Sequence, residues 1–149
     1  MMVSSYIFAY KTLNDEYLKQ LAIKSIEFKI KNLYDKEQGI YHYFDKKRNA
    51  PGLLSDNVSM MCSLLDLYDV TKEKKYLNLA SSLVKLLEKF KNKQGLYSDK
   101  LNTKEDIGLL GKQNVSIVDN SKIAKLFVKL NKLKEAEILL LSLSCDYPK

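Results

Sequence analysis

The chain has no tryptophan, one histidine, one arginine, two cysteines, two prolines and five glycines in 149 residues. Each scarcity removes a class of protein. So little glycine and proline excludes collagen-like and low-complexity chains, and 46% hydrophobic content beside 29% charge excludes an intrinsically disordered one. Cys62 and Cys145 stand far apart, which leaves no disulfide framework, no zinc-ligand pair and no Cys-x-x-Cys couple, and fits a reducing cytoplasm. With His42 the only histidine, no metal site is expected. The longest apolar runs, Tyr6 to Tyr10 and Ile138 to Leu141, fall far short of the ~20 residues that cross a bilayer. Met1 to Tyr10 also lacks the basic start of an export signal. Gly108-Leu109-Leu110-Gly111 lacks the Lys-Ser/Thr ending of a phosphate loop. The expectation is a cytoplasmic protein without a membrane partner and without a cofactor.

Lysine is what the chain has in plenty. The formal net charge is +7, and Arg48 alone of the basic residues carries a guanidinium. Readers of nucleic acid favour arginine, whose planar fork pairs with phosphates and guanine edges, whereas lysine is a hydrated point charge. Lys19, Lys24, Lys72, Lys85 and their like alternate with apolar positions, as on the wet side of amphipathic helices. This pattern argues against a nucleic-acid partner.

Apolar residues recur at three- and four-residue spacing and define six helical segments in one domain spanning residues 1–149. They run from about Met2 to Thr12, Asp15 to Leu33, Asp56 to Tyr68, Lys72 to Lys91, Asp119 to Leu130 and Lys134 to Leu143. Asn14, Asp56, Thr71 and Asp119 read as helix caps. Short turns alternate with two long connections, Tyr34 to Leu54 and Asn92 to Ser116, and the chain matches itself. Tyr17-Leu18 returns as Tyr76-Leu77, Gln38-Gly39-Ile40-Tyr41 as Gln94-Gly95-Leu96-Tyr97, and Asp56-Asn57 as Asp119-Asn120. Tyr10 aligns with Tyr68, so the first repeat begins inside its own first helix, as a fragment of a longer parent would. The expected fold is all-α: three repeated helical hairpins.

Leu53-Leu54-Ser55-Asp56, Leu64-Leu65-Asp66-Leu67-Tyr68, Thr71, Tyr76-Leu77, Ala80, Phe90, Gly95 and Asp119-Asn120-Ser121 resemble the helical part of thioredoxin-domain proteins of the spermatogenesis-associated type. The likeness runs from Met2 to about Leu143. It implies an arc of an (α/α) toroid of the six-hairpin glycosidase-like kind, without the thioredoxin domain and with at least half the ring absent. In such rings the inner helices converge on a cavity and the long connections form a substrate rim. The helices starting at Asp56 and Asp119 would be inner, and those holding Tyr76 and Ala136 outer.

The rim candidates are Tyr41, His42, Asp45, Asp56, Tyr97, Asp99 and Asp119, facing a sugar-like small molecule. Glycoside chemistry needs two carboxyl groups across the scissile bond, and Asp56 with Asp119 is the best pair, although both also read as caps. His42 supplies a group that titrates near neutrality. No catalytic residue is assigned. The competing reading is a non-catalytic helical-repeat interaction module. In an open arc, Tyr6, Phe8 and Tyr10 and Ile138, Leu139, Leu141 and Leu143 are expected to lose cover. That favours a two-fold homodimer, or docking on the missing half-barrel, over a lone monomer.

Overall fold

Helix boundaries in the computed structural model, which describes residues 2–101 and 112–146, follow from local backbone chemistry. The first helix, α1 (Met2–Leu13), ends where Asn14 takes a left-handed φ of 52° and donates its N–H to Tyr10 O at 2.8 Å. Asn14 therefore closes α1, and the cap of α2 (Glu16–Leu33) is Asp15, which accepts from Tyr17 N–H at 2.9 Å. The third helix, α3 (Leu54–Thr71), starts two residues earlier than expected, so its cap position is Leu53, with no side-chain bond. Asp56 sits within the first turn, where a carboxylate favours the positive end of the helix dipole without capping it. Thr71 likewise closes α3, its hydroxyl donating to Leu67 O, while α4 (Lys74–Leu87) has Glu73 at its cap. The fourth segment stops short of Lys91 and tightens into a 3₁₀ turn, Glu88–Phe90.

The fifth helix, α5 (Ile117–Lys129), is capped by Ser116, whose Oγ accepts the Asp119 N–H at 3.2 Å. Asp119 thus occupies the third helical position rather than the cap itself. Asn131, at φ 57°, makes the turn into α6 (Leu133–Asp146). None of the described helices is long and apolar enough to cross a membrane.

Three antiparallel hairpins, α1/α2, α3/α4 and α5/α6, stand side by side. The first helix of each touches the next hairpin's first helix, so α1, α3 and α5 form one row and α2, α4 and α6 a second. The core lies between them: Ile7, Ile26, Met61, Leu64, Tyr76, Leu83, Leu87, Ile123 and Phe127 are fully shielded. Strands were not expected in the first long connection, yet four short ones occur. These are β1 (Tyr34–Asp35) with β2 (Gly39–Ile40), and β3 (Tyr43–Asp45) with β4 (Lys47–Asn49), both pairs antiparallel. Arg48 explains why the second hairpin stays in place. Its guanidinium donates to Asn32 O at 3.1 Å and Lys31 O at 3.4 Å, the unpaired carbonyls ending α2, and reaches Asp35 at 3.5 Å. The two long connections meet at one end of the bundle, where Leu54 N–H donates to Asp99 O at 2.8 Å and Leu101 N–H to Gly52 O at 3.0 Å. The Gly108 to Gly111 segment lies outside the described residues.

Candidate functional site

The repeated Gln-Gly-aliphatic-Tyr turn is built for close approach to the start of the next inner helix. Asp35 accepts from Glu37 and Gln38 N–H at 2.8 and 3.0 Å, and Gly39 follows at φ +80°. A side chain at Gly39 would strike Leu86 and Asn57, so glycine is needed for conformation and for space. In the second copy Asn92 takes the turn role, accepting from Gln94 and Leu96 N–H, and Gly95 has φ +84° with room beside it.

Each turn is then pinned by a wholly buried asparagine. Asn57 accepts Ile40 N–H at 3.0 Å and donates to Leu53 O at 2.8 Å. Asn120 accepts Tyr97 N–H at 2.8 Å and donates to Tyr97 O at 2.8 Å and Ser116 O at 2.9 Å. No buried side-chain nitrogen or oxygen among the described residues lacks a partner, and these two amides are why the connections can lie against the helices. Sequence reasoning singled out the aspartates of the Asp-Asn pairs and passed over the asparagines. The signal was there: Asn57 falls on the apolar stripe with Met60, Met61 and Leu64, where a polar residue needs a reason.

Anchored this way, the first connection walls a cavity of about 260 Å³ at the head of α3, lined by Lys29, Leu33, Ile40, Tyr41, His42, Ser55, Asp56, Ser59 and Met60. Within it His42 Nδ1 lies 2.9 Å from Asp56 Oδ2. An ionised carboxylate only accepts, so Nδ1 carries the hydrogen and Nε2 is left to take or give a proton. The Arg48 guanidinium sits 6.0 Å from the Tyr41 ring centre, and Tyr43 meets the His42 ring edge to face at 6.2 Å.

The cavity continues along the inner row. Ser59 is shared with a second hollow of about 160 Å³ bounded by Ser4, Cys62 and Lys122. Cys62 and Lys122 are shared in turn with a third of about 150 Å³ that adds Asp66, Lys125, Leu126 and Lys129. The exposed edge of α3 thus shows Ser55, Ser59, Cys62 and Asp66, one per turn, with Ser4 on one side and lysines on the other. Lys129 bonds Asp66 at 2.9 Å and Asp69 at 3.3 Å. Partial burial disfavours its charge, but the two carboxylates outweigh this and raise its pKa. Burial, with Asp66 adding to it and the lysines opposing, pushes the Cys62 thiol up, so it is not an activated nucleophile.

The rim candidates separate. Tyr41, His42 and Asp56 meet in one cavity. Tyr97 does not join them: it is 2% exposed, packed edge-on against Phe127 at 6.3 Å, with its hydroxyl 3.4 Å from Glu88. Burial first, then Glu88, drives its pKa far upward, which marks a core tyrosine rather than a sugar platform. Asp99 is committed to the connection itself, accepting Asn114 N–H at 2.9 Å. Asp45 is exposed on β3 opposite Lys47, and Asp119 faces Lys122 at 3.6 Å. Among the described residues Asp56 is therefore the one carboxylate lining the cavity, and the Asp56–Asp119 pair is not brought together in it.

This arrangement of inner row, outer row and rim connections is an arc of an (α/α) toroid. Similar solved structures include a GH76 α-mannanase of Bacteroides thetaiotaomicron, at TM-score 0.76 and 17% identity over 99% of this chain and 43% of that one. Another is cellobiose 2-epimerase of Bacillus thermoamylovorans, at TM-score 0.65 and 21% identity over 93% of this chain and 39% of that one. The chain spans less than half the length of either. No protein-family model matches the sequence, and no curated protein does.

Proposed function

We propose that the inner-face trough binds a carbohydrate or a similarly hydroxylated small molecule, with His42 and Asp56 as its polar head and Tyr41 as an aromatic wall. The observation that carries this reading is the 2.9 Å His42–Asp56 bond inside a cavity of about 260 Å³ at the head of an inner helix. Both similar structures are of proteins named for carbohydrate chemistry, which supports the ligand class. Among the described residues the cavity holds one carboxylate, short of the pair that hydrolysis by two carboxyl groups requires. His42 held by Asp56 fits proton transfer at a bound hydroxyl or an adjacent carbon better. Membership of the helical region of thioredoxin-domain proteins of the spermatogenesis-associated type belongs to the same proposal. So does a cytoplasmic setting. Both rest on the sequence motifs and the sparse cysteines.

His42 is the only histidine, so its imidazole gives one assignable proton resonance that serves as the probe. Titration with mannose- and glucose-based oligosaccharides at millimolar concentration is expected to shift that resonance in the wild type, and the effect is expected to vanish in Tyr41→Ala. A panel in which no sugar moves it overturns the proposal.

A further inference from the structure

The third hairpin exposes the flank that the second hairpin buries. On α3 the inner-face edge is Ser55, Ser59, Cys62 and Asp66, and the shoulder with Asp56 and Met60 shares a cavity with Lys29 and Leu33 of the first hairpin. The opposite shoulder, Leu54, Val58, Met61 and Leu65, spaced as one helical face, therefore looks to the third hairpin, and all four are at most 3% exposed. By the repeat that aligns Asp56 with Asp119, the matching shoulder of α5 is Ile117, Ser121, Ala124 and Val128. Ile117 is 47% and Val128 53% exposed and Ser121 is exposed, while Ala124 is covered within its own hairpin at 2%. The outer helices agree. Aligning Ala80 with Ala136 matches Val84, 8% exposed, to Leu140 at 51%, and half-buried Leu77 to Leu133 at 58%. Ile138 and Leu141, in contrast, match the exposed Ser82 and Lys85 and point outward, while Leu139 and Leu143 are buried after all.

The first hairpin carries the complementary surface. Aligning Tyr10 with Tyr68 places Met2 and Ser5 of α1 at the positions of Met60 and Ser63 of α3. Met60 and Ser63 are buried in the second hairpin, whereas Met2 is 68% exposed. The same two residue types thus recur on the side of α1 that faces away from α3, and Val3 and Ile7 are the buried residues on the side that meets it.

We propose that a second copy of this chain covers the flank, its α1/α2 hairpin docking on α5/α6 as α3/α4 docks on α1/α2 within one chain. The two-fold arrangement makes this contact twice and closes both arcs into one ring around the inner-face trough. An apolar flank whose counterparts are buried one repeat earlier, or half-buried in the case of Leu77, is a continuation of an existing interface rather than scattered surface hydrophobics.

The test is sedimentation equilibrium of three proteins at micromolar concentrations. Wild type is expected to rise with concentration from 17.2 kDa toward twice that mass. Val128→Glu with Leu140→Glu, and separately Met2→Lys with Ser5→Lys, are expected to stay at 17.2 kDa with unchanged helical circular dichroism, because Val128, Leu140, Met2 and Ser5 lie at the surface. Mixing the two variants is expected to restore the dimer, since one contact is then native and the other pairs glutamate with lysine. A wild type that stays at 17.2 kDa, a mass that grows past two copies, or a mixture that stays monomeric overturns the proposal.

Discussion

Asn120 offers the sharpest test of how the connections are held. Replacing it with alanine removes the partner of two backbone groups in a dry site, the Tyr97 N–H and the Tyr97 C=O. Ser116 O keeps the Asn120 backbone N–H at 3.0 Å and is not orphaned. Each unsatisfied buried group costs about 1–3 kcal/mol, so the loss is about 3 kcal/mol. With a urea slope of about 2 kcal/mol/M, the unfolding midpoint drops by about 1.5 M. Asn78→Ala on the exposed face of α4 is the control and is expected within about 0.5 kcal/mol of wild type. Asn120→Asp is more discriminating. At neutral pH its carboxylate faces two carbonyl oxygens that can only accept, Tyr97 O and Ser116 O, so it is expected to destabilise at least as much as alanine. Burial and those carbonyls raise its folded pKa above the unfolded value of about 3.9. Stability lost above that folded pKa is then regained as pH falls through it, because the protonated acid donates again. Alanine and aspartate variants that both unfold with wild type would refute the reasoning.

Two further outcomes follow from the same geometry. Gly39→Ala is expected to destabilise by well over the ~1 kcal/mol of its left-handed backbone, because the new methyl meets Leu86 and Asn57, whereas Gly95→Ala, with Ser142 Oγ 3.5 Å away, is expected near ~1 kcal/mol; equal urea midpoints would contradict this. Glu27 accepts from Lys75 at 2.9 Å and from the Tyr76 hydroxyl at 3.0 Å, chiefly the former holding its pKa below the usual carboxylate range. The stability it adds is present above the unfolded value of about 4.3 and is lost as pH falls through the lower folded value, so Glu27→Gln is expected to flatten the midpoint-against-pH curve below about pH 4.5.

The helices and their repeat were legible because both are written in local spacing. Apolar positions at three and four residues gave all six helices, and Asn131 at a left-handed φ is the turn that its place between two apolar stripes implies. Helix starts were less legible, because an aspartate near a helix N-terminus serves equally as a cap or in the first turn. Asp56 and Asp119 both take the second place, which is decided by where Leu53 and Ser116 leave the extended region. The two Gln-Gly-aliphatic-Tyr turns look alike in sequence, but Tyr41 borders a cavity while Tyr97 is core. That difference is tertiary. Phe127 packs on Tyr97, whereas the region around Tyr41 is taken by the β3/β4 hairpin that Arg48 ties to the end of α2. The same tether brings His42 to Asp56, a contact that no spacing rule contains.

Charge placement favours one kind of ligand within the trough over another. The chain as a whole carries +7, and a trough that shared this excess would suit an anion. Among the described residues the trough lining carries four lysines, Lys29, Lys122, Lys125 and Lys129, against Asp56 and Asp66. Lys129 is held by Asp66 and Asp69, Lys122 lies against Asp119, and Lys125 is the remaining cation of the third hollow, while Asp56 lies at the head. Meanwhile α1 and α3 present Ser4, Ser55, Ser59 and Cys62, short side chains that leave hollows where lysine or glutamate would reach across. Hydroxyls that both donate and accept suit the neutral polyhydroxylated ligand proposed above, whose own groups do the same. An anionic polymer would have to displace Asp66 and Asp69 from Lys129 and Asp119 from Lys122 to gain those two lysines, and each displacement costs the pair it breaks.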